Sequence, residues 1–191
     1  MAVKIGVLAL QGAVSEHIKA LKASGADAQA VKHSSELEDL DGLVLPGGES
    51  TTMRRLMDET GLYDSLRLFA ENKPIFGTCA GLILMAKKIE GRNGPHLGLL
   101  DIDVRRNAFG RQVDSFEATL NIRHVGDNFD GVFIRAPYIK SVGSGVEVLA
   151  TYDDHIVACR QGRFLTCAFH PELTGDTRLH RYFVGIVEEN R

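Results

Sequence analysis

The chain has 191 residues, 44% of them hydrophobic, and a formal net charge of −3. That is enough apolar material to fill the core of one domain spanning 1–191, while the near-neutral charge leaves no electrostatic footprint for nucleic acid. No apolar run approaches the ~18 residues of a membrane span, and the three cysteines, Cys79, Cys159 and Cys167, are an odd number without metal-type spacing, as in a reducing cytoplasm.

The opening Met1-Ala2-Val3-Lys4-Ile5 carries no leader-type cleavage site. Val3-Lys4-Ile5-Gly6-Val7-Leu8-Ala9-Leu10 is apolar almost throughout and predicts a strand buried on both faces of a parallel sheet. After Gln11-Gly12, Val14, Ile18 and Leu21 recur at helical spacing, and Gly25 stops the helix. Short strands follow at 28–31 and 41–45. Strand–helix–strand alternation of this length predicts right-handed βαβ units in a three-layer, doubly wound, mostly parallel sheet. The third strand runs into Pro46-Gly47-Gly48-Glu49-Ser50-Thr51-Thr52. Paired glycines there allow close backbone approach to a ligand, but no P-loop lysine is present. A plain turn is the alternative, with Ser50 or Thr51 capping a helix through Met53, Leu56 and Met57. A further helix is predicted over 63–71, with Leu62, Leu66 and Phe69 inward.

The fourth strand, Pro74-Ile75-Phe76, leads into Gly77-Thr78-Cys79-Ala80-Gly81 and a predicted helix over 82–88. A nucleophile with a glycine two residues away on each side, at a strand-to-helix turn, has the pattern of a nucleophile elbow, here Gly-x-Cys-x-Gly. Such a turn sets the sulfur at a helix N-terminus, where thiolate is favoured over thiol. A buried core cysteine fits the same local sequence. In an open α/β sheet, ligands bind beyond the carboxyl ends of the strands. Gln11-Gly12, Pro46-Gly47-Gly48-Glu49 and Cys79 all end strands, so three loops converge on one crevice.

Beyond residue 90 helical periodicity gives way to short strands at 99–104, 116–122, 131–134, 146–152, 156–160 and 164–169. Asp153-Asp154 and Gln161-Gly162 mark hairpin turns, so antiparallel strands are added to the sheet in the C-terminal half. A last helix over 176–189 turns Leu179, Phe183, Ile186 and Val187 inward. Of the seven histidines, His17, His33, His96, His124, His155 and His180 read as surface or structural. His170 differs: it ends the strand Phe164-Leu165-Thr166-Cys167-Ala168-Phe169, as Cys79 follows its own. An extended backbone through Pro171 places His170 and Glu172 on one face, so the carboxylate orients an imidazole whose other nitrogen meets the sulfur. A helix-start turn is the competing reading of His-Pro-Glu.

Gly-Thr-Cys-Ala-Gly, Pro-Gly-Gly-Glu-Ser and Phe-His-Pro-Glu together resemble class I, triad-type glutamine amidotransferases. More narrowly, the chain resembles the glutaminase subunit of pyridoxal 5'-phosphate synthase. The carrying stretches are Leu10-Gln11-Gly12-Ala13-Val14, Leu45 to Met53, Asn107-Ala108-Phe109-Gly110-Arg111-Gln112, Asp114-Ser115-Phe116-Glu117 and Phe133-Ile134-Arg135-Ala136-Pro137. The resemblance implies hydrolysis of L-glutamine through a γ-glutamyl thioester on Cys79, with His170 as acid and base and Glu172 as its orienter. It implies an oxyanion hole from the amides of Ala80 and the Gly47-Gly48 loop, Gly48 above all. Glutamine-binding positions are then Gly47, Gly48, Glu49, Arg106, Ile134 and Arg135. No cofactor or metal is implied. The implied partner is a synthase subunit in a large heteromeric complex, which joins the ammonia to ribose 5-phosphate and glyceraldehyde 3-phosphate and switches the oxyanion loop. Gln11 and the helix from Ala13 lie on the same rim of the crevice as this loop and are candidate contacts for the partner, a plain surface helix being the alternative. A glutaminase feeding another acceptor, a non-catalytic scaffold, and a peptidase or γ-glutamyl hydrolase on the same elbow are the competing readings.

Overall fold

A computed structural model of the chain describes residues 1–107, 109 and 115–191. Ala108, Gly110, Arg111, Gln112 and Asp114, part of the stretches quoted above, lie outside the described residues.

In chain order the elements are β1 (Lys4–Leu8), α1 (Val14–Ala23), β2 (Asp27–Val31), β3 (Gly42–Leu45), α2 (Ser50–Thr60), α3 (Leu62–Ala70), β4 (Ile75–Thr78) and α4 (Ala80–Met85). Next come β5 (Ala86–Ile89), β6 (Leu100–Arg105), β7 (Ser115–Ile122), β8 (Gly126–Ile134), β9 (Tyr138–Val142), β10 (Glu147–Tyr152), β11 (His155–Gln161), β12 (Phe164–Cys167) and α5 (Arg178–Glu189). Ten strands form one sheet in the order β2-β1-β3-β4-β12-β11-β9-β6-β5, with β10 beside β11. The first five run parallel; β11 turns antiparallel to β12 and starts the added half. β7 and β8 make a separate antiparallel hairpin.

Strands that are apolar on both faces need a layer on each side. β4 shows how it is supplied. The ring of Phe76 packs on Phe183 and His180 of α5, which also meets α1 through His17. The next residue, Gly77, lies against Gly81 and Met85 of α4 on the opposite face. The three-layer α/β fold expected from the strand–helix alternation is therefore present, with its antiparallel strands in the C-terminal half.

Two local expectations give way. The helix predicted over 82–88 stops at Met85, because Leu97 and Leu99 donate backbone hydrogen bonds to the carbonyls of Leu84 (2.9 Å) and Met85 (2.7 Å). Those acceptors are then unavailable to continue a helix, and Ala86–Ile89 pairs with β6 as a strand, burying Ala86 and Ile89 while Lys87 and Lys88 stay exposed. The cap of α2 is Glu49 rather than Ser50 or Thr51: its carboxylate accepts from Thr52 N at 2.6 Å and from Thr51 Oγ1 at 2.8 Å. Beyond these, β9 and the first half of β8 form where no strand was expected.

Candidate active site

Cys79 sits in the turn between β4 and α4 with φ 51° and ψ −108°, a region that non-glycine residues avoid. Holding it there costs about 1–3 kcal/mol, and its neighbours show what holds it. The Cys79 N–H donates to the Cys167 carbonyl of β12 at 2.9 Å. A Cβ on Gly77 would stand 2.6 Å from the backbone of Gly81, and one on Gly81 would collide with the Leu45 carbonyl oxygen. Only glycine at both positions lets helix and strand come this close. The turn presents the Sγ atom 3.8 Å from the Ile134 carbonyl oxygen. Ala80 opens α4, so its N–H has no acceptor within the helix.

β12 lies next to β4, and the chain leaving it carries His170 to the same end of the sheet. The His170 N–H donates to the Val132 carbonyl of β8 at 2.8 Å. Its ring Nδ1 is 3.1 Å from Glu172 Oε2. The backbone is not extended here, as was expected, but a 3-10 turn over Pro171–Leu173. Proline at the turn's first position presets its φ, and the turn folds Glu172 back beneath the imidazole. Burial opposes charge on His170, but hydrogen bonds with Cys79 and Glu172 outweigh it and raise its pKa to about 10. The ring is thus held as a cation at neutral pH.

Glu172 is buried, and its Oε2 is approached by a second imidazole, His17 of α1, at 3.4 Å. Burial first, then His180 and His170, push the His17 pKa well down, so this contact joins a carboxylate to a neutral ring. His17 Nδ1 lies 2.9 Å from His180 Nε2 of α5, and His17 Nε2 lies 3.4 Å from Thr78 Oγ1. Neither histidine was marked for the site. The signal was present in their helical positions: His17 stands one turn before Leu21, and His180 one turn before Val184, on the inward stripes.

Above Cys79 opens a cleft of about 710 Å³ lined by Gly48, Glu49, Ala80, Arg106, Ile134, Arg135 and His170 among others. Burial tends to raise the Glu49 pKa, but the hydrogen bonds from Thr52 and Thr51 bring it to about 2. The helix cap is therefore also a fixed negative charge on the cleft wall. Arg106 is half-buried and Arg135 exposed, the latter at φ 45°. Asn107, also on the wall, has φ 49°. Gly48 is exposed at φ 148°, against the side chain of Gln11, whose Oε1 accepts from Glu49 N at 2.8 Å. Gly47 does not line the cleft. It is buried beneath the His170 ring, where a Cβ would lie 2.7 Å from Cε1.

Residues 7–189 match the SNO glutamine amidotransferase family. The chain belongs to that family. The matched span of this SNO-family chain contains Cys79, His170, Glu172 and the whole cleft. Among its relatives, the "Pyridoxal 5'-phosphate synthase subunit PdxT" of Oenococcus oeni is 78% identical over 191 residues, covering 100% of both chains. The protein of the same description from Geobacillus thermodenitrificans is 66% identical over 187 residues, covering 97% of this chain and 96% of its own. A crystal structure described as a glutamine amidotransferase superposes with a TM-score of 0.91 at 51% identity, covering 96% of this chain and 98% of that one.

Proposed function

We propose that the chain, as one domain over 1–191, hydrolyses L-glutamine to L-glutamate and ammonia and passes the ammonia to a pyridoxal 5'-phosphate synthase subunit in the cytoplasm. The observation that carries this reading is the imidazole of His170, tied to buried Glu172 at 3.1 Å and lining the same cleft as a cysteine on a strained elbow. Family membership and the named relatives support glutamine as substrate and the synthase as partner.

Cys79 attacks the side-chain carboxamide as a thiolate, with the proton held on His170. The tetrahedral oxyanion is met by the Ala80 N–H and by the N–H of Gly48. His170 then gives its proton to the leaving ammonia, and a γ-glutamyl thioester forms. Water, losing its proton to His170, attacks the thioester; glutamate leaves and the thiolate returns. Glu49, fixed as a carboxylate, suits the substrate ammonium, and Arg106 and Arg135 its α-carboxylate. Ile134 and Gly47 complete the assigned positions, Gly47 by leaving room for the imidazole. The Gly47-Gly48 peptide is the element that docking of the synthase rearranges, since glycine at φ 148° accepts a flip that other residues resist.

Ammonia release from glutamine, measured with and without the synthase, tests the whole reading. Cys79→Ala is expected to lower the rate by about 10⁴-fold or more, and the synthase to raise the wild-type rate. Ammonia at the wild-type rate from Cys79→Ala overturns the mechanism. A full rate without synthase overturns the switching loop.

A further inference from the structure

Behind the triad lies a line of buried polar groups that opens neither to the cleft nor to solvent. Glu172, His17, Thr78 and His180 come from the turn after β12, from α1, from β4 and from α5, and each is at most 5% exposed. Four elements do not place polar side chains together in a core without hydrogen bonds to hold them there.

The hydrogen positions follow from counting partners. A neutral imidazole has one donor nitrogen and one acceptor nitrogen. Suppose His17 carried its proton on Nδ1 and donated to His180 Nε2. Its bare Nε2 would then face Glu172 Oε2 at 3.4 Å, lone pair against carboxylate. His180 would hold its proton on Nδ1, which has no partner among the described residues, leaving a buried N–H orphaned. The opposite arrangement removes the first fault and leaves no N–H orphaned. His180 Nε2–H donates to His17 Nδ1 across 2.9 Å, and His17 Nε2–H points between Glu172 Oε2 and Thr78 Oγ1, both 3.4 Å away. His180 Nδ1 is left as a bare lone pair, so the only remaining fault is one unpaired acceptor, without a lone pair set against the carboxylate.

We infer that His17 is a positioning residue for the catalytic carboxylate: as the Nε2–H tautomer set by His180, it donates to Glu172 Oε2 from the side opposite His170. Oε2 thus receives two N–H groups, one from each ring, while Oε1 has no partner among the described residues. With two donors the carboxylate has one orientation, and the His170 ring above it is fixed in turn. The titratable groups facing Glu172 are His170 on its own turn, His17 on α1 and Cys167 on β12. Those facing His17 are Glu172, His180 and His170. The role assigned to His17 rests on the glutaminase reading; its tautomer does not.

Nitrogen-15 spectra of histidine-labelled protein at neutral pH read the tautomer directly. The expected result is His17 protonated on Nε2 only; protonation on Nδ1 overturns the inference even if glutamine is hydrolysed. Kinetics with the synthase present supply the second arm. Asn at position 17 keeps a polar group near the Nδ1 position and loses the donor at Nε2, whereas Gln keeps that donor. His17→Asn is expected to lower kcat roughly tenfold, mid-range for members of one hydrogen-bond network, with KM unchanged because His17 does not line the cleft. The alkaline limb of its pH profile moves to lower pH as His170 loses a fixed carboxylate. His17→Gln restores both. A folded His17→Asn protein with wild-type kcat and alkaline limb, or a His17→Gln protein equally impaired, overturns the inference. If His17→Asn does not fold, the wild-type tautomer decides. Absence of glutamine hydrolysis in wild type instead overturns the functional reading.

Discussion

Gly47 illustrates how little freedom the His170 ring has. An added Cβ would lie 2.7 Å from His170 Cε1 and 3.5 Å from Cys79 Cβ, between the proposed nucleophile and its proposed base. Gly47→Ala is expected to leave a folded protein whose imidazole is displaced. A shift of about 1 Å in a reacting group costs on the order of 100-fold, and ammonia release with the synthase present measures it; a rate close to wild type would show that the ring has room to yield. The residues named for chemistry from the sequence were those with a local signature: a cysteine between spaced glycines, a histidine ending an apolar strand. His17 has only its place on the inward stripe of α1, which marks burial and not chemistry. Its partner His180 is 163 positions away, and its role becomes visible only when α1 and α5 lie side by side. The proposed link between His170 and Glu172 was reached through the wrong backbone, since a 3-10 turn rather than an extended segment joins them.

Among the elements, α4 is the one with least tolerance. Its Gly81 lies against the backbone of β3, so the Cβ of Gly81→Ala has to displace a carbonyl, which a flexible side chain cannot do for it. Overpacking of this kind costs about 1–3 kcal/mol, and urea unfolding of Gly81→Ala against wild type is expected to show a loss of at least that size. An unchanged midpoint would mean that α4 slides along the sheet. The same crowding explains which elements could be read in advance. α1, α3 and α5 announce themselves by apolar spacing along their own sequence. The end of α4 and the start of β5 are set instead by Leu97 and Leu99, whose amides take the carbonyls that would extend the helix. Competition between distant backbone groups leaves no periodicity to find.

For the whole molecule, pH links these histidines to stability in two windows. His170 has a folded pKa raised to about 10, so its contribution is full below the unfolded value near 6.5 and is lost as pH rises toward 10. His180 and His96 go the other way, both lowered to about 4. Burial is the cause at His180; at His96 it is burial and then the charges of Arg92, Arg54 and Arg106. Their contribution, with that of His17, is full above 6.5 and is lost as pH falls toward 4. The midpoint of thermal unfolding is therefore expected to peak near neutrality and to fall on both sides. A non-titrating residue at 170 should flatten only the alkaline side; a midpoint constant from pH 7 to 5 would contradict the neutral, buried histidines. The sheet order has a further consequence, for the chain while it is being made. β12 fills the place between β4 and β11, yet it is synthesised some ninety residues after Cys79. At ~5–20 residues per second this is roughly 5–18 s, during which β4 keeps an open edge and the thiol has no imidazole beside it. A ribosome paused in that interval holds a chain prone to pair with a neighbour's strand. One late strand then seals the sheet and brings His170 to the end of β4 where Cys79 stands.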